Sequence, residues 1–207
     1  INPQGATVAI QGFGKVGYWA AVACELMGMK VVAVSDVHGA ITGFDSIADV
    51  WKHFKETGNI DVPGSEKLTN EELLHFKVDV LIPAALADAI TEKTAVGIQA
   101  KIVVEGANAP TTPEGDAIMR DKNILVVPDI LANAGGVIVS YFEWVQDKQN
   151  YFWTADEVKE NLNSILMKSV REVEALADSK NVTWREAAMM LGVGRVAEAH
   201  KLRGLYP

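Results

Sequence analysis

Cysteine, positive charge and long apolar segments are all scarce in this sequence. Its 207 residues include one cysteine, Cys24, which cannot form an intrachain disulfide and is typical of a reducing compartment. Lys and Arg number 19 against 27 Asp and Glu, so the chain lacks the clustered cations that bind nucleic acid. No segment approaches the ~20 apolar residues of a membrane span, and Ile1–Gly5 has no signal-peptide pattern. We therefore expect a cytoplasmic protein without nucleic-acid or membrane partners.

Short runs rich in valine and isoleucine alternate with helical stretches through the first ~130 residues, which is the signal of strand–helix–strand units. The runs are Thr7–Ile10, Lys30–Val34, Val78–Ile82, Lys101–Val104 and Ile124–Val127. They are almost continuously apolar, as strands are when helices cover both faces of a parallel sheet. The pattern predicts an α/β fold whose sheet is mostly parallel.

The last third of the chain predicts helices and no strand. Thr154–Glu157 and Thr183–Glu186 are capping boxes, in which a threonine begins a helix and the glutamate three residues later reaches back to it. Gly192 and Gly194 fall inside the second of these helices, where each glycine costs roughly 1 kcal/mol relative to alanine. We expect that helix to weaken or break at the two glycines.

A glycine motif directly follows the first predicted strand and precedes a helical pattern. The run is Gly12-Phe13-Gly14-Lys15-Val16-Gly17, which has the spacing G-x-G-x-x-G. In this context the first glycine permits a tight turn, the second lets a pyrophosphate approach the backbone, and the third lets the helix pack against the strand. The helix N-terminus then favours the anion. We expect residues 1–132 to form a Rossmann-like, doubly wound dinucleotide-binding core, and 133–207 a C-terminal helical extension that completes the domain.

Asp36 is the second element of the predicted dinucleotide site. It ends the second predicted strand and lies 19 residues past Gly17 (36 − 17), close to the ~20 expected for the carboxylate that binds the adenosine ribose. We include the adjacent Val37 in the cofactor site. From Ser35 to Phe44 there is no Arg or Lys to bind the 2′-phosphate of NADP, and His38 is the one side chain there that becomes cationic on protonation. The sequence therefore favours NAD over NADP.

Two more loops follow predicted strands, at the carboxyl ends where open α/β sheets bind ligands. One contains Ala84 and Ala85, whose small side chains let a flat ring lie against the backbone. The other contains Asn108, whose side chain offers both a donor and an acceptor. Asn133 comes after the last predicted strand and just before a glycine pair. Its amide has the donor and acceptor that a nicotinamide carboxamide needs, so we place these four residues in the cofactor site.

Five segments together carry a specific family resemblance. They are Val8–Gly17, Val34–Asp36, Val103–Asn108, Pro128–Trp144 and Arg195–Gly204. In these segments the sequence resembles the glutamate dehydrogenase family, and the resemblance covers nearly the whole chain. It implies reversible oxidative deamination of L-glutamate to 2-oxoglutarate and ammonia, with hydride transfer to NAD. It also implies a homo-oligomer for the intact protein, while this chain by itself could be a monomer.

The resemblance also implies roles for single residues. Asn108 and Asn133 would contact the nicotinamide end, and Val137 and Ser140 would reach the glutamate side chain. A hydroxyl at Ser140 can donate to a carboxylate, whereas relatives that act on Leu, Val or Phe tend to carry an apolar residue there. The family's catalytic Lys and Asp lie in a preceding substrate domain that nothing here matches. We therefore expect this chain to contact that domain and to bind cofactor without catalysing turnover, with no catalytic residue of its own.

Two other interpretations stay open at this point. The chain could be a stand-alone dinucleotide-binding module, or the cofactor domain of a related Leu, Val or Phe dehydrogenase. The upstream sequence of the intact gene would test the first interpretation. Assays of a full-length protein on glutamate and leucine would test the second. No metal site is predicted, because the four histidines lack the spacing of metal ligands.

Overall fold

The chain folds into two compact units in a computed structural model that describes residues 1–204. The first unit spans Ile1–Asp129, and the second begins at Ile130. Among the residues described, no helix combines the length and the apolarity needed to cross a membrane.

A seven-stranded sheet forms the centre of the first unit. In spatial order its strands are β4 (Glu66–Leu68), β3 (Ala40–Thr42), β2 (Lys30–Ser35), β1 (Thr7–Gln11), β5 (Val80–Pro83), β6 (Ile102–Val104) and β7 (Leu125–Val127). The neighbouring strands β2, β1, β5, β6 and β7 pair in parallel, and β3 and β4 add an antiparallel edge. The predicted α/β class with a mostly parallel sheet is confirmed.

Helices cover both faces of the sheet, which explains why its strands are almost continuously apolar. On one face Val8 and Ile10 belong to a buried cluster with side chains of two helices, α1 and α2. On the other face Ala9 and Leu81 belong to a cluster with α3, α4 and α5. The helices are α1 (Lys15–Leu26), α2 (Ile47–Thr57), α3 (Asn70–Leu74), α4 (Glu92–Ala95) and α5 (Pro113–Asp121). This arrangement is the doubly wound one expected.

The antiparallel edge strands were not predicted. β3 (Ala40–Thr42) and β4 (Glu66–Leu68) lack the run of Val and Ile that marks the equally short β6 and β7. Their pairing depends on tertiary contact instead, with Ile41 opposite Lys67 and Ala40 opposite Leu68. The predicted parallel strands exist, with ends that shift by one or two residues.

Asp79 joins the amino-terminal ends of three neighbouring parallel strands. It precedes β5, and its Oδ2 accepts the N–H of Thr7 at 3.0 Å and the hydroxyl of Thr7 at 3.2 Å. Its Oδ1 accepts Nζ of Lys101, just before β6, at 2.7 Å. The bond from Lys101, followed by the bond from the Thr7 N–H, lowers the pKa of Asp79 to about 2.

We expect Asp79→Asn to lower the thermal stability at neutral pH and to remove part of its acid dependence. The carboxylate has a lower pKa in the folded chain than the ordinary ~3.9, so its contribution is present above pH ~4 and is lost as the pH falls toward 2. Melts should show a Tm about 2 to 5 °C below the parent at pH 7. This gap should close by pH 2, with exposed Asp121→Asn as the control. A constant gap across this range would contradict the prediction.

The second unit is helical throughout its described part. After α6 (Asp129–Ala132), which spans the boundary, come α7 (Gly135–Gln149), α8 (Ala155–Lys180) and α9 (Trp184–Arg203). Both predicted capping boxes are confirmed, since the side chains and backbones of Thr154 and Glu157, and of Thr183 and Glu186, bond reciprocally. The predicted helical extension is therefore present.

The expected break at Gly192 and Gly194 is wrong, because α9 continues through both residues. The cost of two helical glycines, roughly 2 kcal/mol together, is within what tertiary packing supplies to a helix. Arg195 on α9 forms an ion pair with Glu172 on α8 directly beyond the second glycine. Packing of α9 on its neighbour therefore overrides its local propensity.

Candidate functional site

The glycine loop between β1 and α1 has its shape fixed by two glycines. Gly12 has a φ of +94°, a left-handed value that favours glycine, and its N–H donates to Oγ of Ser35 at 3.1 Å. A Cβ on Gly17 would lie 1.8 Å from the carbonyl oxygen of Gly12. The loop can therefore close on itself, and α1 can pack against β1, only because both residues lack a side chain.

The side chain of Phe13 anchors this loop in the core. Phe13 is buried, and its ring packs edge-on against the rings of Tyr18, Trp51 and Phe54 at centroid distances of 6.0 to 6.2 Å. The following residue, Gly14, is exposed at the start of α1. Phe13 thus holds the loop in place.

The amino-terminal end of α1 is open to an anion. Gly14 is its N-cap, no side chain in the described chain caps the helix, and its first turn carries no acidic residue. A Cβ built on Gly14 meets no atom within 4 Å in the described structure, so there is free space beside the loop. Unsatisfied N–H groups and the helix dipole both favour a phosphate at such a position.

Asp36 lies just beyond β2 with one oxygen available for a donor. Its Oδ1 accepts the N–H of His38 at 2.7 Å, and its backbone carbonyl accepts Nδ2 of Asn70 at 3.2 Å. Its Oδ2 is buried and, within residues 1–204, has no hydrogen-bond partner. A buried carboxylate oxygen without a donor is costly, so a ligand hydroxyl at this position would satisfy it.

The glycine loop and Asp36 line one cleft of about 710 Å³. Seven of the predicted cofactor residues line it, namely Gly12, Phe13, Gly14, Asp36, Val37, Ala84 and Ala85. The volume lies in the range of small-molecule and cofactor sites. The carboxyl ends of β1, β2 and β5 thus meet at one cavity, which brings the glycine loop and Asp36 together.

The loop after β6 lies directly beside this cleft. The N–H groups of Gly106 and Ala107 donate to the carbonyl of Pro83 at 3.0 and 2.9 Å. A Cβ on Gly106 would lie 3.2 Å from Cβ of Ala84 and 3.4 Å from Cγ1 of Val16. The loop that carries Asn108 is therefore close to the loop that begins α1.

Comparison with known proteins identifies the family. Residues 1–204 match the family described as Glutamate/Leucine/Phenylalanine/Valine dehydrogenase. The chain belongs to this family. It is 51% identical to the glutamate dehydrogenase of Thermotoga maritima, over 100% of this chain and 51% of that protein. It is also 46% identical to NAD-specific glutamate dehydrogenase A of Halobacterium salinarum, over 97% of this chain and 47% of that protein.

A solved structure agrees with this membership. The hetero-hexameric glutamate dehydrogenase from Thermus thermophilus, in a form with Leu bound, is similar with a TM-score of 0.94 and 36% identity. The match covers 100% of this chain and 50% of that one. The chain thus spans about half the length of the curated relatives it matches.

Three predicted residues of this family member lie in the second unit. Asn133 is half-buried and comes between α6 and α7. Val137 and Ser140 are both exposed, and their spacing of three residues makes them neighbours on the surface of α7. Their side chains are thus available on one side of the first turns of α7.

Some residues that line the cleft were not predicted from the sequence. Asn70, at the start of α3, lines the cleft and bonds the backbone of Asp36. Gln11 and Leu86 also line it, and they flank predicted residues. Their positions beside Gly12 and Ala85 were a usable signal. The sequence held no signal for Asn70, which is 34 residues from Asp36 along the chain.

Proposed function

We propose that this chain is the cofactor-binding half of an NAD-dependent glutamate dehydrogenase. The observation that carries the proposal is the cleft lined both by Asp36, which has a buried carboxylate oxygen without a partner in residues 1–204, and by Gly14 at the uncapped start of α1. Relatives named NAD-specific glutamate dehydrogenases, among them one from Bacillus subtilis at 43% identity, support it. The reaction is the oxidative deamination of L-glutamate to 2-oxoglutarate and ammonia.

Each part of the cofactor has residues that would hold it. The N–H groups at the start of α1 would bind the pyrophosphate, which approaches the backbone at Gly14. Asp36 would accept a hydroxyl of the adenosine ribose, with Val37, Ala84 and Ala85 against the adenosine. The bound nicotinamide ring would supply the hydride acceptor. Asn108, two residues after Gly106 in the loop that approaches Ala84 and Val16, would orient the carboxamide.

In this proposal the C-terminal helices complete the domain and contact a substrate-binding half. We place the cofactor core at residues 1–132 and the completing helices at 133–207. Asn133 would orient the carboxamide, and Val137 and Ser140 would approach the substrate side chain. Residues that polarise the substrate and take its proton belong to the other half in this proposal.

L-glutamate is the proposed substrate, with leucine, phenylalanine and valine as the alternatives that the family's description includes. The exposed hydroxyl of Ser140 favours glutamate, because it can donate to the side-chain carboxylate. Assay of the full-length protein on glutamate and leucine separates these substrates. A preference for leucine would contradict the assignment.

Oligomeric state and location complete the proposal. We infer that the intact protein forms an oligomer, as the hetero-hexameric neighbour does, and we propose that it is a homo-oligomer. We also place it in the cytoplasm, since one buried cysteine suits a reducing compartment. Size-exclusion chromatography of the full-length protein with light scattering tests the first inference, and a monomer would contradict it.

The cofactor is tested by titrating the chain with NAD and NADP in a calorimeter. We expect NAD to bind more tightly, because the Asp36 carboxylate repels a 2′-phosphate. Asp36→Ala should weaken NAD binding about 10-fold, the loss expected for a charge-assisted hydrogen bond. It should also narrow the difference between the affinities for NAD and NADP. Asp121→Ala, which removes an exposed carboxylate, should leave both affinities unchanged. Equal affinities for NAD and NADP in the parent would overturn the assignment of Asp36.

A further inference from the structure

Glu105 is a fully buried acidic residue at the end of β6, the strand next to one edge of the sheet. It directly follows β6, and none of its surface is exposed. Its Oε2 accepts the N–H of Asp129 at 2.9 Å, and its own N–H donates to the carbonyl of Val127 at 3.1 Å. Removing a charge from water is expensive, and apolar side chains of similar volume often stabilise a fold equally well. An acidic side chain at this position therefore needs a reason beyond packing.

Asp129 is bound by Glu105 through its backbone and holds a neighbouring loop through its side chain. Its Oδ2 accepts the N–H of Ala109 at 2.7 Å. Ala109 has a φ of +46°, a left-handed conformation that is unfavourable for alanine, and the following Pro110 favours extended backbone before it. The Asp129 carboxylate thus stabilises a strained peptide, the one that joins Asn108 to Ala109.

The strained loop is fixed at two more points. The carbonyl of Ala109 accepts the N–H of Asp88 at 3.0 Å, and the N–H groups of Gly106 and Ala107 bind the carbonyl of Pro83. Left-handed residues other than glycine persist where the surrounding structure imposes them, and they cluster at ligand sites. Hydrogen bonds to neighbouring residues therefore fix the backbone conformation around Asn108, which the local sequence by itself does not favour.

We propose that Glu105 and Asp129 are positioning residues for the nicotinamide end of the cofactor. Glu105 holds the backbone of Asp129, and Asp129 holds the Asn108–Ala109 peptide, so that the Asn108 amide keeps one direction. Both carboxylates act through Asn108 and do not themselves touch the cofactor. The inference rests on the proposed function, because it takes Asn108 to face the nicotinamide ring.

This arrangement predicts an effect confined to one half of the cofactor. ADP-ribose contains the adenosine, pyrophosphate and second ribose of the dinucleotide but no nicotinamide, so its affinity does not depend on the Asn108 amide. NADH contains the ring as well. A general loss of folding would weaken the binding of both ligands, whereas a misdirected Asn108 side chain would weaken the binding of NADH alone.

The test compares the calorimetric Kd of NADH and of ADP-ribose for the chain and its variants. Asp129→Ala should raise the Kd of NADH about 10-fold, on the order of one charge-assisted hydrogen bond, and leave that of ADP-ribose within about 2-fold. Asp129→Asn and Glu105→Gln keep an acceptor oxygen and should have smaller effects of the same kind. Glu114→Ala removes an exposed carboxylate from the first turn of α5 and serves as the matched control.

The outcomes distinguish a failure of the proposed function from a failure of the positioning role. If the parent binds neither ligand, the proposed function fails and this inference fails with it. If the parent binds both and the Asp129 variants weaken both equally, or neither, the proposed function stands and the positioning role is wrong. If Asp129→Ala does not fold, Asp129→Asn and Glu105→Gln decide by the same comparison of NADH with ADP-ribose.

Discussion

Replacement of Gly17 by alanine is expected to destabilise the chain by about 3 kcal/mol or more, the upper range for overpacking a tight contact. The new Cβ would lie 1.8 Å from the carbonyl oxygen of Gly12 and 2.8 Å from its carbonyl carbon. These are main-chain atoms, so no rotamer change relieves the clash. Helix α1 would have to move away from β1, where Ala21 and Cys24 are buried.

A thermal melt without cofactor measures this effect. A loss of about 3 kcal/mol lowers Tm by roughly 6 to 12 °C in a chain of this size. Gly194→Ala is the matched control, since a Cβ there meets no atom within 4 Å in the described structure. In the interior of α9 that change should instead stabilise by up to ~1 kcal/mol. A Gly17→Ala variant that melts like the parent would show that the loop is not as tight as described.

Gly14→Val should leave folding intact and weaken NAD binding by about 30-fold or more. Gly14 has a φ of −75°, which any residue adopts, and a Cβ there meets nothing within 4 Å of described structure. The side chain would occupy the space through which a pyrophosphate reaches the N–H groups of α1. Losing two charge-assisted hydrogen bonds is worth at least ~2 kcal/mol, which corresponds to the 30-fold change.

The readout for Gly14→Val is a melt without cofactor beside a calorimetric titration with NAD. Because Gly14 has no positive φ, backbone strain contributes nothing and the effect comes from the ligand alone. A variant that melts like the parent and also binds NAD like the parent would show that the loop is not the phosphate site. Together the two glycine variants separate the stability of the loop from its binding of cofactor.

The parallel core could be predicted from sequence because its signals are local. Continuous apolar runs such as Val31–Val34 reflect helices on both faces, and the spacing of Gly12, Gly14 and Gly17 reflects one turn of chain. Asp36 was found because it lies at a fixed distance after that motif. The ends of the strands differ from the prediction by one or two residues, because they depend on pairing with neighbouring strands.

What could not be predicted depends on contacts between distant residues. Glu105, Ala109 and Asp129 can be read from the sequence, but their hydrogen bonds cannot. The side chain of Glu105 accepts the N–H of Asp129, and the side chain of Asp129 accepts the N–H of the strained Asn108–Ala109 peptide. Likewise, the glycines in α9 gave a false expectation, since helix propensity was weighed without the packing on α8. The antiparallel strands β3 and β4 fall in the same class, because neither carries the continuous apolar run that marks the equally short β6 and β7.

The two borders of the sheet limit how copies of this chain can associate. β4 and β7, the outermost strands, have three residues each, and β4 exposes Glu66 and Lys67, with Lys67 paired to Asp61. Both border strands are short and β4 is also charged, so they give a second chain little backbone to extend, which protects against aggregation through open sheet edges. Any assembly should therefore form through side chains on helices and loops, and this leaves the sheet itself the same in a monomer and in an oligomer.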